Sequence, residues 1–476
     1  MLRSSTAADL CHVITAAQLI LIPKSKGQED RVMNRWQELP FAPARFPIFY
    51  GWVIVVVGAI GMLMSIPGQT MGISVFTDPL IGALDLTRVE LSTAYMIGTI
   101  LSAFALPRAG VICDRLGSRL LAAVSAFMLA MVLLVLSRID AISARAIMIT
   151  GWTGATVPFV VIAVAFFGLR FFGQGVLTVA SNGMIMQWFE KRRGLANSIS
   201  GTIVAFGFSG APIILNLLVS NYGWRGAWVV MAAIIGVGFV ILSLAFFRDK
   251  PESCGLLPDG VASKDEESFG EVRGVEDYDV REAVRTLAFW VITLTIAMSA
   301  FYLTGLTFHL LSIFREAGFS ESRALAIFLP ATVIAVSLHL VAGWLSDHIK
   351  IKYFVIFMLT GQIISMGGFI LLSSEASYWA IVIGNGMSNG MFGVLSAVTW
   401  PKYFGRKHLS SIMSRSMSLV VFSSALGPLV FGQSLAITGG YRVAGVMCFL
   451  ASCLLVVVAT KLADPGMRSG QQKQKT

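Results

Sequence analysis

Gly110-Val111-Ile112-Cys113-Asp114-Arg115-Leu116-Gly117-Ser118-Arg119 and Gly343-Trp344-Leu345-Ser346-Asp347-His348-Ile349-Lys350-Ile351-Lys352 share one pattern. A glycine closes an apolar run, an aspartate follows four residues later, and basic side chains lead into the next apolar run. One charged turn of this kind in each half of the chain predicts two similar bundles of membrane helices that move against each other, which is the mechanics of a transporter. Hydrophobic residues make up 56% of the 476 and charged residues 13%, with a mean hydropathy of +0.77. A soluble chain of this size carries far more charge. Windows of about 20 apolar residues fall near 50–70, 88–109, 119–137, 157–187, 195–218 and 225–247, then near 286–311, 324–345, 353–373, 378–400, 409–433 and 441–461. Apolar runs this long are not the alternating strands of a barrel, so an all-α membrane protein with twelve transmembrane helices is expected.

The net charge of +10 would suit a nucleic-acid binder, but its placement gives it another meaning. With the N-terminus taken as cytoplasmic, the cytoplasmic segments hold 26 Lys and Arg. The opposite loops hold 7, namely Arg88, Arg138, Arg145, Arg225, Arg315, Arg323 and Arg442. Only Arg108, Arg170 and Arg415 fall inside spans. By the positive-inside rule this predicts a multi-pass protein of the inner (plasma) membrane with both termini cytoplasmic, and no nucleic-acid partner. Cys11, Cys113, Cys254, Cys448 and Cys453 show no pairing pattern and are expected as thiols. The run Leu10–Ile22 is too short to span and lacks a cleavage site, which leaves a surface-lying helix or a true start at Met33.

Between spans six and seven lies a polar stretch rich in acid, Gly and Pro, including Asp265, Glu266, Glu267, Glu271 and Glu276. It is expected to be a solvated linker over 249–284, joining halves at 46–248 and 285–463, with a leading segment 1–45 and a tail 464–476. The halves match beyond the charged turn. Trp188-Phe189 followed by Lys191-Arg192-Arg193 corresponds to Tyr403-Phe404 followed by Arg406-Lys407, Ala211-Pro212 to Gly427-Pro428, and Tyr222-Gly223-Trp224-Arg225 to Gly440-Tyr441-Arg442. Phe189 precedes Pro212 by 23 residues and Phe404 precedes Pro428 by 24. An even number of spans per half predicts a parallel repeat, with a pseudo-twofold axis along the membrane normal.

The turn at 110–119 resembles the G-x-x-x-D-R-x-G-x-R motif of the major facilitator superfamily, and Arg170-Phe171-Phe172-Gly173-Gln174-Gly175 resembles its R-x-x-G-x-G signature. Arg45-Phe46-Pro47-Ile48-Phe49-Tyr50-Gly51-Trp52, Arg248-Asp249-Lys250-Pro251-Glu252, Pro258-Asp259-Gly260 and Phe289-Trp290 look like the oxalate/formate antiporter and monocarboxylate porter branch. The resemblance covers about 46–463 and implies the major facilitator fold, two six-helix halves that expose a central site alternately to either side. It also implies a gating latch at Gly110, Asp114, Arg115, Gly117 and Arg119, joined by Arg108 after Pro107, with a second at Gly343, Asp347 and Lys350. There His348 stands where the first copy has Arg115, so the second latch is expected to be weaker and sensitive to pH. The bland alternative is that both turns only orient the loops.

A charge at mid-span is costly, so Arg170 should face a cavity or a partner and attract an anion; bonding to carbonyls between helices is its structural alternative. Arg415, among Ser411, Ser414, Ser416 and Ser418, offers a fork of donors suited to a carboxylate, or it snorkels to the interface. Span eight holds His339 where that antiporter branch is expected to place a cation. His309 and His339 are the proton-coupling candidates, with packing as the alternative. Gln69, after Pro67-Gly68, marks a break that would aim polar groups at the cavity, and Asn385 is a further candidate contact. No acid lies at mid-span, no nucleotide-binding loop or metal-ligand spacing is present, and no catalytic grouping stands out.

These observations predict a secondary transporter rather than an enzyme, without cofactor or metal, expected as a monomer. Its cargo would be a small organic anion, a monocarboxylate first, moved by proton symport or exchange for a counter-anion. A drug/proton antiporter and a non-transporting nutrient sensor on the same fold are the rival readings.

Overall fold

A computed structural model describes residues 39–152, 154–189, 192–260, 278–345, 349–404 and 409–462. Twelve spans order the chain: α1 (Gly51–Leu63), α2 (Arg88–Leu116), α3 (Ser118–Ser137), α4 (Thr156–Trp188), α5 (193–222), α6 (224–246), α7 (Leu287–Phe308), α8 (Phe328–Leu345), α9 (Ile351–Ile370), α10 (Glu375–Phe404), α11 (Leu409–Thr438) and α12 (Arg442–Ala459). Nine helices among the described residues are long and apolar enough to cross a membrane. One of these, Leu195–Phe246, holds both α5 and α6, divided at Gly223 (φ 67). α1 is short, but the chain continues helically through Ile66–Gly68, Thr70–Ser74 and Thr77–Leu84. α10 has the length, at 30 residues, with a more polar sequence. In a bilayer such segments must be helical, because only then does each backbone donor find an acceptor within its own segment.

Leu39 bonds Arg248 and Leu462 clusters with Ala283, so the described chain ends lie beside the linker-flanking segments at one end of the bundle, here the linker end; the other is the distal end. Around the linker, Asp279 and Glu282 form a capping box on the short helix Val280–Ala283, and Thr286 caps α7 by accepting from the Phe289 amide at 3.2 Å. At the distal end the segment after α3, expected as a loop, folds into the helix Ile139–Thr150. Its few buried residues, Ile139 and Ser143, explain why periodicity did not mark it.

Within the first half α2 packs on α4, and α3 on the α5–α6 segment; within the second α7 packs on α11, and α10 on both α8 and α9. Between halves, α2 meets α11 and α5 meets α8. A twofold that carries each helix to the one six places later turns the first of these pairs into the second, so the seam has the symmetry expected of a parallel repeat. The apolar core is asymmetric along the membrane normal. One cluster runs through the first half and takes in second-half residues from the distal end, among them Tyr302, Phe308, Phe314, Phe369, Tyr378, Phe431 and Tyr441. At the linker end the second half has a separate core, with Phe289, Phe354, Leu359, Trp400 and Phe404. Among the described residues, the apolar contact that joins the two halves is therefore distal.

Candidate functional site

α1 stops at Leu63, Ile66-Pro67-Gly68 forms a single tight turn, and Gln69 is extended at φ −86, ψ 153. Pro67 has no amide hydrogen to donate, which favours a break here. α4 is irregular at the same depth: Leu169–Leu177 winds as a π-helix, a form frequent at functional sites. The two irregular segments touch. A Cβ on Gly68 would overlap the Leu169 carbonyl oxygen and lie 2.8 Å from the Gln174 nitrogen, and one on Gly173 would lie 3.0 Å from the Gly68 Cα.

Arg170 is carried at this junction and is only 3% exposed. Its Nη1 donates to the Gly68 carbonyl at 3.1 Å, its guanidinium lies 5.3 Å from the centre of the Tyr95 ring, and its Nε has no acceptor. The Tyr95 hydroxyl shares a 2.7 Å hydrogen bond with Thr70 Oγ1, and Gln69 Nε2 donates to Ser65 Oγ at 3.1 Å. The Tyr95 ring also packs 4.8 Å from Phe308 of the other half, which sets the cluster against the seam. The ion pairs of Asp78, Asp140, Glu321 and Glu375 lie at the distal end, and Arg170 has no ion pair with a described residue. A buried guanidinium with one carbonyl and an aromatic face has most of its charge unanswered, and an anion is the complementary group.

The distal seal is polar as well as apolar. Asp78 Oδ1 accepts from Arg88 Nη2 at 2.6 Å, while its Oδ2 lies 3.1 Å from Arg315 Nη1 of the second half. Arg315 also bonds Glu321 at 2.9 Å, and that bond, with help from Asp78, holds its pKa above the ordinary value. Thr77 Oγ1 donates to the Phe308 carbonyl at 3.3 Å, and Ser209 on α5 bonds Thr332 on α8. His309 is buried in this seam. Its Nε2 lies 2.8 Å from the Pro428 carbonyl, so that nitrogen carries the hydrogen, with Ser92 Oγ at 3.4 Å; Nδ1 has no partner.

Residues 120–428 match the family model of the Major Facilitator Superfamily. The chain belongs to that superfamily. It is 24% identical to the probable sulfoacetate transporter SauU of Cupriavidus necator over 387 residues, which is 75% of this chain and 83% of that one. A stretch of 62 residues is 34% identical to human monocarboxylate transporter 14, covering 13% of this chain and 12% of that protein. A solved bacterial homolog of the human lysosomal transporter Spinster, inward-facing and occupied, superposes with a TM-score of 0.61 at 16% identity, over 87% of this chain and 98% of that one. The protein is a multi-pass membrane transporter of this superfamily.

In this facilitator the first turn is tied to the end of α6, the start of the linker and the leading segment. Gly117 has φ 81, ψ 157, and the Asp249 carboxylate fills the space a side chain would take. Asp249 Oδ1 accepts from the Arg119 amide at 2.8 Å. The Arg119 guanidinium is buried and bonds the carbonyls of Leu244 and Leu39. Arg248 joins it, donating to Leu39 at 2.8 Å and to Ala245 and Phe247, and its burial lowers its pKa. Arg108, Gly110, Asp114 and Arg115 lie on the last turns of α2 with side chains outside the described residues; Gly343 is on α8, and Asp347 and His348 also lie outside. Lys350 precedes α9 and is exposed.

The remaining candidates stand apart from Arg170. Arg415 is exposed at the linker end of α11. His339 is exposed on α8, against Gly393 of α10. Asn385 is buried inside the second half, where its amide oxygen accepts from Ser365 at 3.1 Å and Ser365 meets the Tyr302 hydroxyl at 3.0 Å. Sequence reasoning reached Arg170 and Gln69 but not Tyr95, Thr70 or Ser65. An apolar span with scattered hydroxyls gives no sign of which one faces a residue 75 positions away.

Proposed function

We propose that the protein carries a small organic anion, a carboxylate or sulfonate, by alternating access, with Arg170 as the residue that binds the anionic group. The buried guanidinium with no acidic partner carries this reading. Tyr95 sets its ring face against it, Thr70 bonds the Tyr95 hydroxyl, Gln69 follows the Gly68 whose carbonyl the guanidinium bonds, and the relatives named for sulfoacetate and monocarboxylates are consistent with that chemistry. With the linker end taken as cytoplasmic, as the basic residues indicate, the distal seal makes this an inward-facing conformer. A cationic cargo would need an intramembrane acid, and the ion-paired Asp78, Asp140, Glu321 and Glu375 are all distal. His309 is the coupling candidate, since its bare Nδ1 gains access to water only when the seam opens. That favours proton symport over exchange for a counter-anion.

The test is ligand-induced thermal stabilisation of the purified protein by small carboxylates and sulfonates, against lipophilic cations. Binding to the folded state raises the melting temperature according to ligand concentration over Kd. Stabilisation by an anion that disappears in Arg170→Gln, in a variant that still folds, supports the reading. Stabilisation by cations alone overturns it.

A further inference from the structure

At the linker end, α7, α11 and the helix Val280–Ala283 enclose an open groove of about 510 Å³. Its floor and walls are apolar, formed by Val284, Phe289, Trp290 and Leu419, and Ser416 Oγ beneath it accepts from Thr293 at 3.0 Å, which ties α7 to α11. The Trp290 Nε1 already donates to the Val284 carbonyl at 2.7 Å, so the indole offers a surface and no donor. Arg281 and Arg415 are the two charged members of the lining, both exposed. Neither forms an ion pair with a described acid, and the closest acids in sequence, Asp279 and Glu282, bond each other's backbone amides in the capping box. Leu287 and Met417 add exposed apolar surface near the groove.

Two guanidiniums over an apolar trough, with a tryptophan at the end of a membrane helix, fit an amphiphile: a phosphate between the arginines and a chain along the wall. A small hydrophilic anion would leave that wall unanswered. We propose that this groove binds an anionic phospholipid, bridging the linker helix and the second half. The assignment rests on the membrane fold and does not depend on Arg170 or on what is transported.

The experiment purifies the full chain, exchanges it into mixed phosphatidylcholine and phosphatidylglycerol, and measures retained lipid by native mass spectrometry. Wild type is expected to retain phosphatidylglycerol over phosphatidylcholine. Arg281→Gln and Arg415→Gln should each weaken retention about fivefold, the share a single arginine contributes near an anionic surface. Arg145→Gln, at the distal end, should leave it unchanged. The charge-keeping variants Arg281→Lys and Arg415→Lys should retain most of the lipid, which separates loss of charge from misfolding. Equal retention in the double glutamine variant overturns the proposal. So does equal stabilisation by soluble glycerol phosphate, which would mean a free-anion site, and so does displacement of the lipid by a small carboxylate, which would make the groove part of the cargo path.

Discussion

Arg119 and Gly117 show how a residue chosen for one reason serves another. The motif suggested a latch that holds one side closed, and in this conformer the arginine donates to the carbonyls of Leu244 and, in the leading segment, Leu39. Gly117→Ala should lower the melting temperature in detergent by several degrees, because a side chain at φ 81, ψ 157 is strained by about 1–3 kcal/mol and would displace Asp249. An unchanged melting temperature would show that the turn tolerates another conformation. His309→Gln can keep a donor toward Pro428 but has no nitrogen that binds a proton. Uptake by that variant is expected to lose its dependence on pH, because the imidazole is the group that would take up a proton once the seam opens to water. A retained pH profile removes His309 from coupling.

At the scale of elements, the break after α1 and the π-helical stretch of α4 form one unit. Gly68→Ala and Gly173→Ala should each destabilise by about 1–3 kcal/mol through overpacking and reduce uptake strongly, since they push Arg170 away from its carbonyl. Gly183→Ala, lower on α4 where a Cβ meets nothing within 4 Å, should be neutral or slightly stabilising in the same thermal assay. Pro67-Gly68 made the break legible in the sequence, and unbroken apolar runs made the spans legible. The π-helical winding was not, because Gly173 and Gly175 signal close approach without saying how the backbone winds, and the close neighbour, Gly68, lies far away along the chain. The strap at Leu39 and the Asp78–Arg315 pair were equally hidden, since each joins segments far apart along the chain.

For the whole molecule, the seal at the distal end decides which side the site faces. Asp78 is shared by an arginine of each half, so Asp78→Asn should weaken closure and shift the population toward a distal-open form. Spin labels at the exposed positions Ile149 and Ile437, on a background without the native cysteines, should then show a longer distance distribution than wild type. An identical distribution would mean that the apolar core alone holds the seal.

The segment from Thr70 to Leu84 leaves the Arg170 junction at one end and carries Thr77 and Asp78, the seam contacts, at the other. If helical throughout it would measure about 20 Å. It is a lever with its fulcrum at Gly68. On the proposed anion site, a charge arriving beside Arg170 would compete with the Gly68 carbonyl for the same guanidinium and so loosen the fulcrum itself. The stroke this permits is delivered where the halves are pinned, so cargo and seal need no longer relay between them than this one short piece of chain.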